Sequence, residues 1–269
     1  MSAPHLLDIS ALDAIDRNAF AGREPFPWLA GERLLKAEAF VQLMRDFPPV
    51  EKFERHLNIP KVHGQRPHNR YYLAYEHTLY DPDKPRSEGI IRHGELAPSW
   101  QRFLQELEGD DYRSFIADMV GRDDFVMRYA WHIGTSGSEV SPHIDSENKI
   151  ATHIFYFNVS EEWSADWGGE TIVLDGKRVA AMNPEFDDFE RAVSVPFLDN
   201  RSFLFANNGN AWHGVRALSC PPGGMRRLFN VIFEAPAKAS RLPARIRSFL
   251  SQRLHSSIKR VLLPQRPIG

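Results

Sequence analysis

The chain has 269 residues, 42% of them hydrophobic, and a formal net charge of −2, which are ordinary values for a soluble globular protein with a sizeable core. The charge balance argues against a dedicated nucleic-acid-binding protein, and no run of roughly eighteen apolar residues could cross a membrane. One cysteine, Cys220, excludes an internal disulfide, and no signal-peptide pattern is found at the start, so a cytoplasmic location is expected.

Residues 1–124 are predicted to form a helical support and lid region. Apolar residues recur at helical spacing from Arg33 to Phe47. Two further amphipathic helices are predicted over Pro98–Leu107 and Tyr112–Val120, and Gly121 is placed to end the second.

The segment from Lys61 to Tyr80 is rich in His, Arg and Tyr. One interpretation is a lid or hairpin that contacts the substrate, because ordered loops often carry binding residues. The other is a solvated loop followed by a strand. The composition does not decide between them.

Residues 125–236 are predicted to form the β core. Short runs rich in Val, Ile, Phe and Tyr alternate with turn residues at a spacing of roughly eight to twelve, which is typical of a sandwich or barrel. The predicted strands are Phe125–Ile133, Val140–Asp145, Ile150–Val159, Glu170–Leu174, Arg178–Ala181, Ala192–Val195, Ser202–Ala206, Gly214–Ala217 and Arg226–Glu234. The fold class is therefore mainly β with flanking helices (α+β), around a double-stranded β-helix (jelly-roll, cupin-like) core.

Residues 237–269 are predicted to form a basic amphipathic C-terminal helix. From residue 235 onward the chain has eight Lys and Arg residues and no Asp or Glu, with apolar residues on one helical stripe. Such a helix packs its stripe on its own domain, or contacts an anionic membrane surface or a partner, here through residues 241–263.

Two histidines and one aspartate carry the candidate chemistry. His143 and Asp145 lie two residues apart in an apolar run, so in a strand they share one face. His213 follows about seventy residues later, and a jelly roll brings such distant strands side by side. Two imidazoles and one carboxylate suit a non-haem Fe(II) site of the facial-triad kind, which leaves coordination positions for co-substrate and oxygen.

A candidate anion-binding site lies at the start of the last apolar strand, where Arg226 and Arg227 are found. An arginine there needs an anionic partner, which a dicarboxylate co-substrate could supply. Strand parity favours Arg226, which shares a face with Asn230, because a polar residue fits a ligand-lining face. Arg227 points to the other, more apolar face and stays as the alternative. The hydroxyl of Tyr156 is a second candidate donor to the same carboxylate.

These residues resemble a known family. The run His143-Ile-Asp145, the strand Ile154-Phe-Tyr-Phe-Asn158, the turn Trp167-Gly-Gly-Glu170, then Trp212-His213-Gly214 and the later arginines resemble the Fe(II)/2-oxoglutarate-dependent oxygenases, prolyl-hydroxylase-type branch. The resemblance covers about residues 125–234. One departure is Tyr-Phe-Asn in place of Tyr-Leu-Asn, and another is a slightly longer interval between His213 and the arginines.

The resemblance implies a dioxygenase that hydroxylates its substrate and converts 2-oxoglutarate to succinate and CO2. It implies His143, Asp145 and His213 as ligands of Fe(II), and Arg226 and Tyr156 as contacts of 2-oxoglutarate. O2 is the oxidant, and L-ascorbate is expected to accompany this chemistry. His132 falls near a position where relatives place a pocket-lining aromatic residue.

The sequence does not identify the substrate. A small molecule or a peptidyl residue is expected, and no nucleic acid. Two other classes of protein stay open on the same scaffold. One is a cupin-like metal-dependent hydrolase or isomerase, and the other is a ligand-binding module without turnover.

Overall fold

Two β-sheets lie face to face in the computed structural model of the chain, which describes residues 4–58, 66, 68–76 and 89–236. Within these residues the strands are β1 Trp28–Glu32, β2 Glu54–His56, β3 Arg70–Tyr75, β4 Ile90–Ile91, β5 Val126–Gly134, β6 Val140–His143, β7 Lys149–Tyr156, β8 Thr171–Lys177, β9 Phe189–Val195, β10 Arg201–Ala206, β11 His213–Val215 and β12 Arg226–Glu234. The α-helices are α1 Ile9–Asp13, α2 Arg17–Ala21, α3 Ala37–Arg45, α4 Pro98–Leu107 and α5 Asp110–Val120.

The larger sheet has the strand order β1-β10-β7-β12-β5-β3-β2, with β4 pairing to β3, and the smaller sheet has the order β6-β11-β8-β9. Every pairing among these described strands is antiparallel except that of β3 with β4. Apart from the paired neighbours β8 and β9, consecutive strands from β5 to β12 alternate between the two sheets, as in a jelly roll. The predicted double-stranded β-helix core is confirmed.

The helices cover the outer face of the larger sheet. Helix α4 starts with Pro98 at its first turn, where the missing N–H costs nothing, and it buries Trp100 and Phe103 against the strands. Helix α5 begins with two aspartates, whose negative charges stabilise the positive end of the helix dipole. It ends at Gly121, whose φ of 73° is the left-handed conformation that glycine adopts most readily.

Two apolar layers follow from strand alternation. Phe155, Phe229 and Phe233 face the helices, whereas Ile154 and Leu228, their chain neighbours or near neighbours, face the smaller sheet. The second layer is interrupted by a cavity lined with polar residues. The larger sheet therefore separates an apolar core from the functional face of the fold.

Several predicted boundaries are wrong. The strands expected at Ile150–Val159, Ala192–Val195 and Gly214–Ala217 are observed at Lys149–Tyr156, Phe189–Val195 and His213–Val215. Three further differences lie in the first and middle parts of the chain. The helix expected from Arg33 begins only at Ala37, because Arg33 has a φ of 54°, which is incompatible with an α-helix. Residues 178–181 are not a strand. They are mostly exposed and belong to the connection between β8 and β9, so the alternation of Val179 and Ala181 does not mark a buried face. Strand β6 ends at His143, two residues before the predicted end.

The segment from Lys61 to Tyr80 is only partly within the described residues. Arg70–Tyr75 forms β3, as the loop-and-strand interpretation expects, and Arg70 and Tyr72 also line the cavity. Strands β1 and β2 were not predicted. Both add to the larger sheet, at opposite edges, through pairing with β10 and β3.

The chain separates into two units, residues 1–235 and residues 236–269. In the second unit only Pro236 is described, so the predicted basic C-terminal helix lies outside the described residues. No helix in the described part of the chain is long and apolar enough to cross a membrane.

Candidate active site

The three predicted metal ligands meet between the two sheets. His143 and His213 are directly paired across β6 and β11, and their ring centroids are 4.3 Å apart. Asp145 follows β6 in a loop, and its Oδ1 lies 3.9 Å from Nε2 of His143. One donor atom from each residue lies within 4.8 Å of the others. The structure thus brings two imidazoles and one carboxylate to a single point.

Backbone carbonyls orient both imidazoles. Nδ1 of His143 is 3.0 Å from the carbonyl oxygen of Ser141, and Nδ1 of His213 is 2.9 Å from that of Ala211. Each Nδ1 therefore carries the proton and donates, which assigns metal ligation to Nε2. This tautomer puts the lone pair of each ring on Nε2, and the sequence did not predict it.

Asp145 is held as a carboxylate by its surroundings. Nζ of Lys149 lies 2.6 Å from Oδ1, and the hydroxyl of Thr152 donates to Oδ2 at 3.3 Å. Burial acts to raise the pKa of Asp145, but the positive charge of Lys149 and the nearby histidines outweigh it and hold the pKa below its ordinary value. The carboxylate is ionised and ready to bind a cation at neutral pH.

Arg226 is buried at the other end of the site, with 5% of its surface exposed. Its Nε donates to the carbonyl oxygen of Gly169 at 2.5 Å, and its guanidinium carbon is 5.3 Å from the ring centre of Tyr156. No carboxylate within the described residues forms an ion pair with it. Burial lowers its pKa from the ordinary value, yet guanidinium remains charged. A buried cation of this kind is costly without an anionic partner.

The surroundings of Arg226 are built to leave room for its side chain. Gly169 has a φ of 114°, and a Cβ there would lie 2.8 Å from Cζ of Phe197 and 3.3 Å from Cδ of Arg226. The hydroxyl groups of Tyr156 and Thr171 are 2.7 Å apart beside the guanidinium. Glycine at 169 is therefore needed for the close approach of this turn to Arg226.

Arg227 points away from the cavity. Its guanidinium lies 3.6 Å from a carboxylate oxygen of Glu162 and is partly exposed. Asn158 fixes this register, because its Nδ2 donates to the carbonyl oxygen of Met225 at 2.8 Å and its Oδ1 accepts from the backbone N–H of Arg227 at 2.7 Å. The structure thus places Arg226 in the cavity wall and Arg227 outside it, in the positions that strand parity favoured.

Asn230 also lines the cavity, next to His132. Nδ2 of Asn230 and Nε2 of His132 are 3.2 Å apart, whereas Nδ1 of His132 and Oδ1 of Asn230 have no hydrogen-bond partner within the described residues. Burial, reinforced by the charges of nearby basic residues, holds the pKa of His132 well below its ordinary value of 6.5. His132 is therefore a neutral, polar part of the wall.

Several cavity residues were given no individual role by the sequence reasoning, and three of them lie next to the candidate metal ligands or Arg226. They are Lys149, which contacts Asp145, Thr171, beside Arg226, and His68, whose ring centroid lies 4.7 Å from that of His143. Lys149 had a signal, since it lies four residues after Asp145 across a turn. Thr171 had none, because only the pairing of distant strands brings it to the site, whereas His68 lies in the His-rich segment for which a substrate-contacting lid was one interpretation.

The donor set fits Fe(II), and the wall fits 2-oxoglutarate. Two imidazole nitrogens and one carboxylate, with both tautomers fixed by backbone carbonyls, are a 2-His-1-carboxylate site. The buried guanidinium of Arg226, flanked by two hydroxyl groups, offers a charged and hydrogen-bonding seat for one carboxylate of a co-substrate. Both groups line the same cavity, whose empty volume with its open mouth is about 960 Å³.

Comparisons with known proteins agree with this chemistry. Residues 125–234, which run from the residue before β5 to the end of β12, match the family model described as the 2OG-Fe(II) oxygenase superfamily. The chain therefore carries a 2OG-Fe(II) oxygenase domain. No curated protein sequence matches this chain.

Solved structures share the fold at low sequence identity. A prolyl hydroxylase from Trichoplax adhaerens, in complex with a peptide fragment of a hypoxia-inducible factor, aligns with a TM-score of 0.55 and 12% identity over 84% of this chain and 90% of its own. A Pseudomonas putida prolyl-4-hydroxylase gives 0.52 and 13% over 85% and 99%. HygX from Streptomyces hygroscopicus, with nickel and 2-oxoglutarate bound, gives 0.51 and 11% over 83% and 88%.

The predicted resemblance to the Fe(II)/2-oxoglutarate-dependent oxygenases is confirmed. The enzyme class, Fe(II) and 2-oxoglutarate as cofactors, and the fold are confirmed as well. The resemblance to the prolyl-hydroxylase-type branch is confirmed as a likeness of fold. The match over residues 125–234 disfavours the cupin-like hydrolase or isomerase and the module without turnover. The roles of individual residues and the division of the chain into three regions stay predictions.

Proposed function

We propose that this chain is an Fe(II)- and 2-oxoglutarate-dependent hydroxylase whose metal ligands are His143, Asp145 and His213 and whose co-substrate anchor is Arg226. The observation that carries the proposal is the pairing of a buried His-Asp-His cluster with a buried, carboxylate-free guanidinium in one cavity. A metal-binding cluster alone fits many functions, and the second feature calls for an anionic co-substrate.

When bound, Fe(II) and 2-oxoglutarate supply the oxidising chemistry, with O2 consumed and 2-oxoglutarate converted to succinate and CO2. The residues of the chain bind, orient and exclude water. Arg226 holds the far carboxylate of the co-substrate, with Tyr156 and Thr171 beside it. The carbonyls of Ser141 and Ala211 keep Nε2 of each histidine aimed at the metal.

Asn230 and Arg227 take different places in this proposal. Asn230 lines the cavity and is assigned to the wall near the co-substrate and substrate. Arg227, outside the cavity, has no role in binding 2-oxoglutarate and serves as an internal control. A requirement for L-ascorbate, a cytoplasmic location and a membrane or partner contact through residues 241–263 stay predictions. The substrate is expected to be a small molecule or a peptidyl residue.

The test is an anaerobic titration of metal-free protein with Fe(II) and then 2-oxoglutarate, followed by visible absorption. We expect a charge-transfer band in the wild type and no band in His143→Ala. Arg226→Met should need at least about tenfold more 2-oxoglutarate, because removing one partner of a buried charge pair costs about 2–5 kcal/mol.

Arg227→Met is the matched control, since it removes the same charge from the adjacent residue. It should titrate as the wild type does. Equal loss of affinity in the two arginine variants would contradict the assignment of Arg226. Absence of a band in the wild type, together with tight Zn(II) binding, would reject the oxygenase and favour a metal-dependent hydrolase.

A further inference from the structure

Lys149 binds a carboxylate oxygen of Asp145 that also lies beside His143. The ammonium is 2.6 Å from Oδ1 of Asp145, and the same oxygen is 3.9 Å from Nε2 of His143. The other carboxylate oxygen, Oδ2, accepts from the hydroxyl of Thr152 at 3.3 Å. The oxygen of Asp145 that lies next to the imidazole ligand is therefore already paired with a cation of the chain itself.

The backbone keeps Asp145 and Lys149 at this separation. The N–H of Lys149 donates to the carbonyl oxygen of Ser146 at 3.0 Å, which closes a tight turn between the two charged residues. Nδ2 of Asn207 donates to three carbonyl oxygens along this turn, at 3.0, 3.0 and 3.3 Å. The ion pair is thus built on a fixed frame, and its freedom of movement lies mainly in the long side chain of Lys149.

The carboxylate of Asp145 is shielded, while Lys149 has room to move. The side chain of Asp145 is 10% exposed and that of Lys149 is 21% exposed. Both residues line the cavity, so the ammonium can leave Oδ1 without entering the apolar core. The contact of Thr152 with Oδ2 does not depend on the lysine, so the carboxylate keeps a hydrogen bond that orients it when the ammonium leaves.

A divalent metal and the ammonium carry charges of the same sign and use the same carboxylate. Salt screens such close charges weakly, because the Debye length at physiological ionic strength is about 8 Å. Metal binding has two ways to proceed: the ammonium leaves Asp145, or both cations share the carboxylate and repel each other. In both cases Lys149 lowers the affinity of the metal-free site for a divalent cation.

2-Oxoglutarate changes this balance. A dication and Asp145 together carry a single positive charge, and the carboxylate of 2-oxoglutarate that is not held by Arg226 brings this sum to zero when it reaches the metal. The change of one unit does not depend on which other charged residues lie nearby. The repulsion between the metal site and the ammonium of Lys149 therefore falls when the co-substrate binds.

We propose that Lys149 competes with the metal for Asp145, so that the site binds a divalent metal weakly alone and more tightly once 2-oxoglutarate is bound. This inference rests on the proposed function, because it takes Asp145 as a metal ligand and 2-oxoglutarate as the co-substrate. Lys149 acts through Asp145 and is a positioning residue. It makes retention of the metal depend on the co-substrate.

The test measures Mn(II) binding to metal-free protein by electron paramagnetic resonance, which reports the free Mn(II) ion directly. Mn(II) stands in for Fe(II) because it resists oxidation, and each titration is run without and with saturating 2-oxoglutarate. Without 2-oxoglutarate, Lys149→Met should lower the dissociation constant at least about tenfold, because it removes one of two like charges at a shielded carboxylate. With 2-oxoglutarate, the gain should be less than about threefold, because the repulsion has already fallen.

Control variants separate the charge of Lys149 from other effects. Lys149→Arg keeps the charge and should stay within about threefold of the wild type. Thr152→Val removes the other contact of the same carboxylate without changing any charge, so it should not tighten Mn(II) binding. Lys177→Met removes a cation that stacks on Trp212, outside the cavity lining, and should titrate as the wild type does.

Lys149→Gln is a second neutral variant, so that the result does not depend on the folding of one protein. Unchanged or weaker Mn(II) binding in the folded neutral variants would overturn the inference, because Lys149 would then support the metal site. A gain of the same size with and without 2-oxoglutarate would overturn the coupling to the co-substrate.

Asp145→Asn reports on the proposed function separately. If this variant binds Mn(II) as tightly as the wild type does, the assignment of Asp145 as a metal ligand is rejected, and the inference falls with it. If Asp145→Asn loses Mn(II) binding while neither Lys149→Met nor Lys149→Gln gains any, the metal site stands and only the role of Lys149 is rejected.

Discussion

His132 and His153 are both buried and both kept neutral, yet they lie on opposite faces of the same sheet. His153 faces the helices, where its Nδ1 is 2.8 Å from the hydroxyl of Tyr112 and its ring packs on Phe155. His132 faces the cavity, beside Asn230. The same residue type at the same depth is part of a closed core in one case and of an open wall in the other. The two histidines differ in their surroundings: a cavity lies next to His132, whereas other side chains fill the space around His153.

The largest loss of stability is expected when an aromatic ring is removed from the face of the larger sheet that packs on the helices. Phe229 is fully buried and packs on Trp100 and Trp131, with ring centroids 5.1 and 4.9 Å away. Phe229→Ala should lower the free energy of unfolding by about 3–5 kcal/mol, measured by urea denaturation with circular dichroism. The adjacent variant Asn230→Ala, on the cavity face, should cost only about 1 kcal/mol. Similar losses in both variants would show that the two faces are not distinct.

A smaller effect is expected from the buried pair of Tyr112 and His153. Tyr112→Phe removes the hydroxyl and leaves the ring nitrogens of His153 without a partner in the core, which should cost about 1–3 kcal/mol. The double variant Tyr112→Phe/His153→Leu removes both polar groups and should recover most of that loss. Chemical denaturation of the three proteins gives the coupling energy. A double variant no more stable than Tyr112→Phe would show that the unpaired ring of His153 is not the cause of the loss.

The smallest effect concerns pH. Burial lowers the pKa of His153 to about 3 in the folded protein, against an ordinary value of 6.5. Between these values the unfolded chain binds a proton that the folded chain does not, so stability is fully present above pH 6.5 and is lost as pH falls. The wild type should lose about 1.4 kcal/mol more per pH unit than Tyr112→Phe/His153→Leu. Denaturation midpoints at several pH values down to about 4.5 measure this, and equal slopes would contradict the buried neutral state.

The β core was largely predictable, because its strands carry both a hydrophobic run and a turn signal at each end. The pairing of His143 with Asp145 could also be predicted, although Asp145 lies in a loop and not, as expected, in the strand. Parity placed Arg226 on the cavity face and Arg227 on the other, since a two-residue period leaves no third choice.

Other features depend on contacts between distant segments. Strand β1 contains Gly31, and it is a strand because it pairs with β10. Lys149 was given no role, because its contact with Asp145 depends on how the turn between them folds. His68 reaches the metal cluster from the N-terminal region, where composition alone did not separate a lid from a loop.

Asn158 has a consequence for variation in loop length. The segment 216–225 between β11 and β12 enters β12 through Met225, and Asn158 grips the backbone on both sides of Arg226. The register of β12 is thus set by its contacts with Asn158, which follows β7, and not by the length of the loop after His213. Insertions or deletions before Met225 are absorbed in the loop, and the same arginine still enters the cavity. The number of residues between His213 and Arg226 can therefore vary, while the position of Arg226 relative to the metal ligands stays the same.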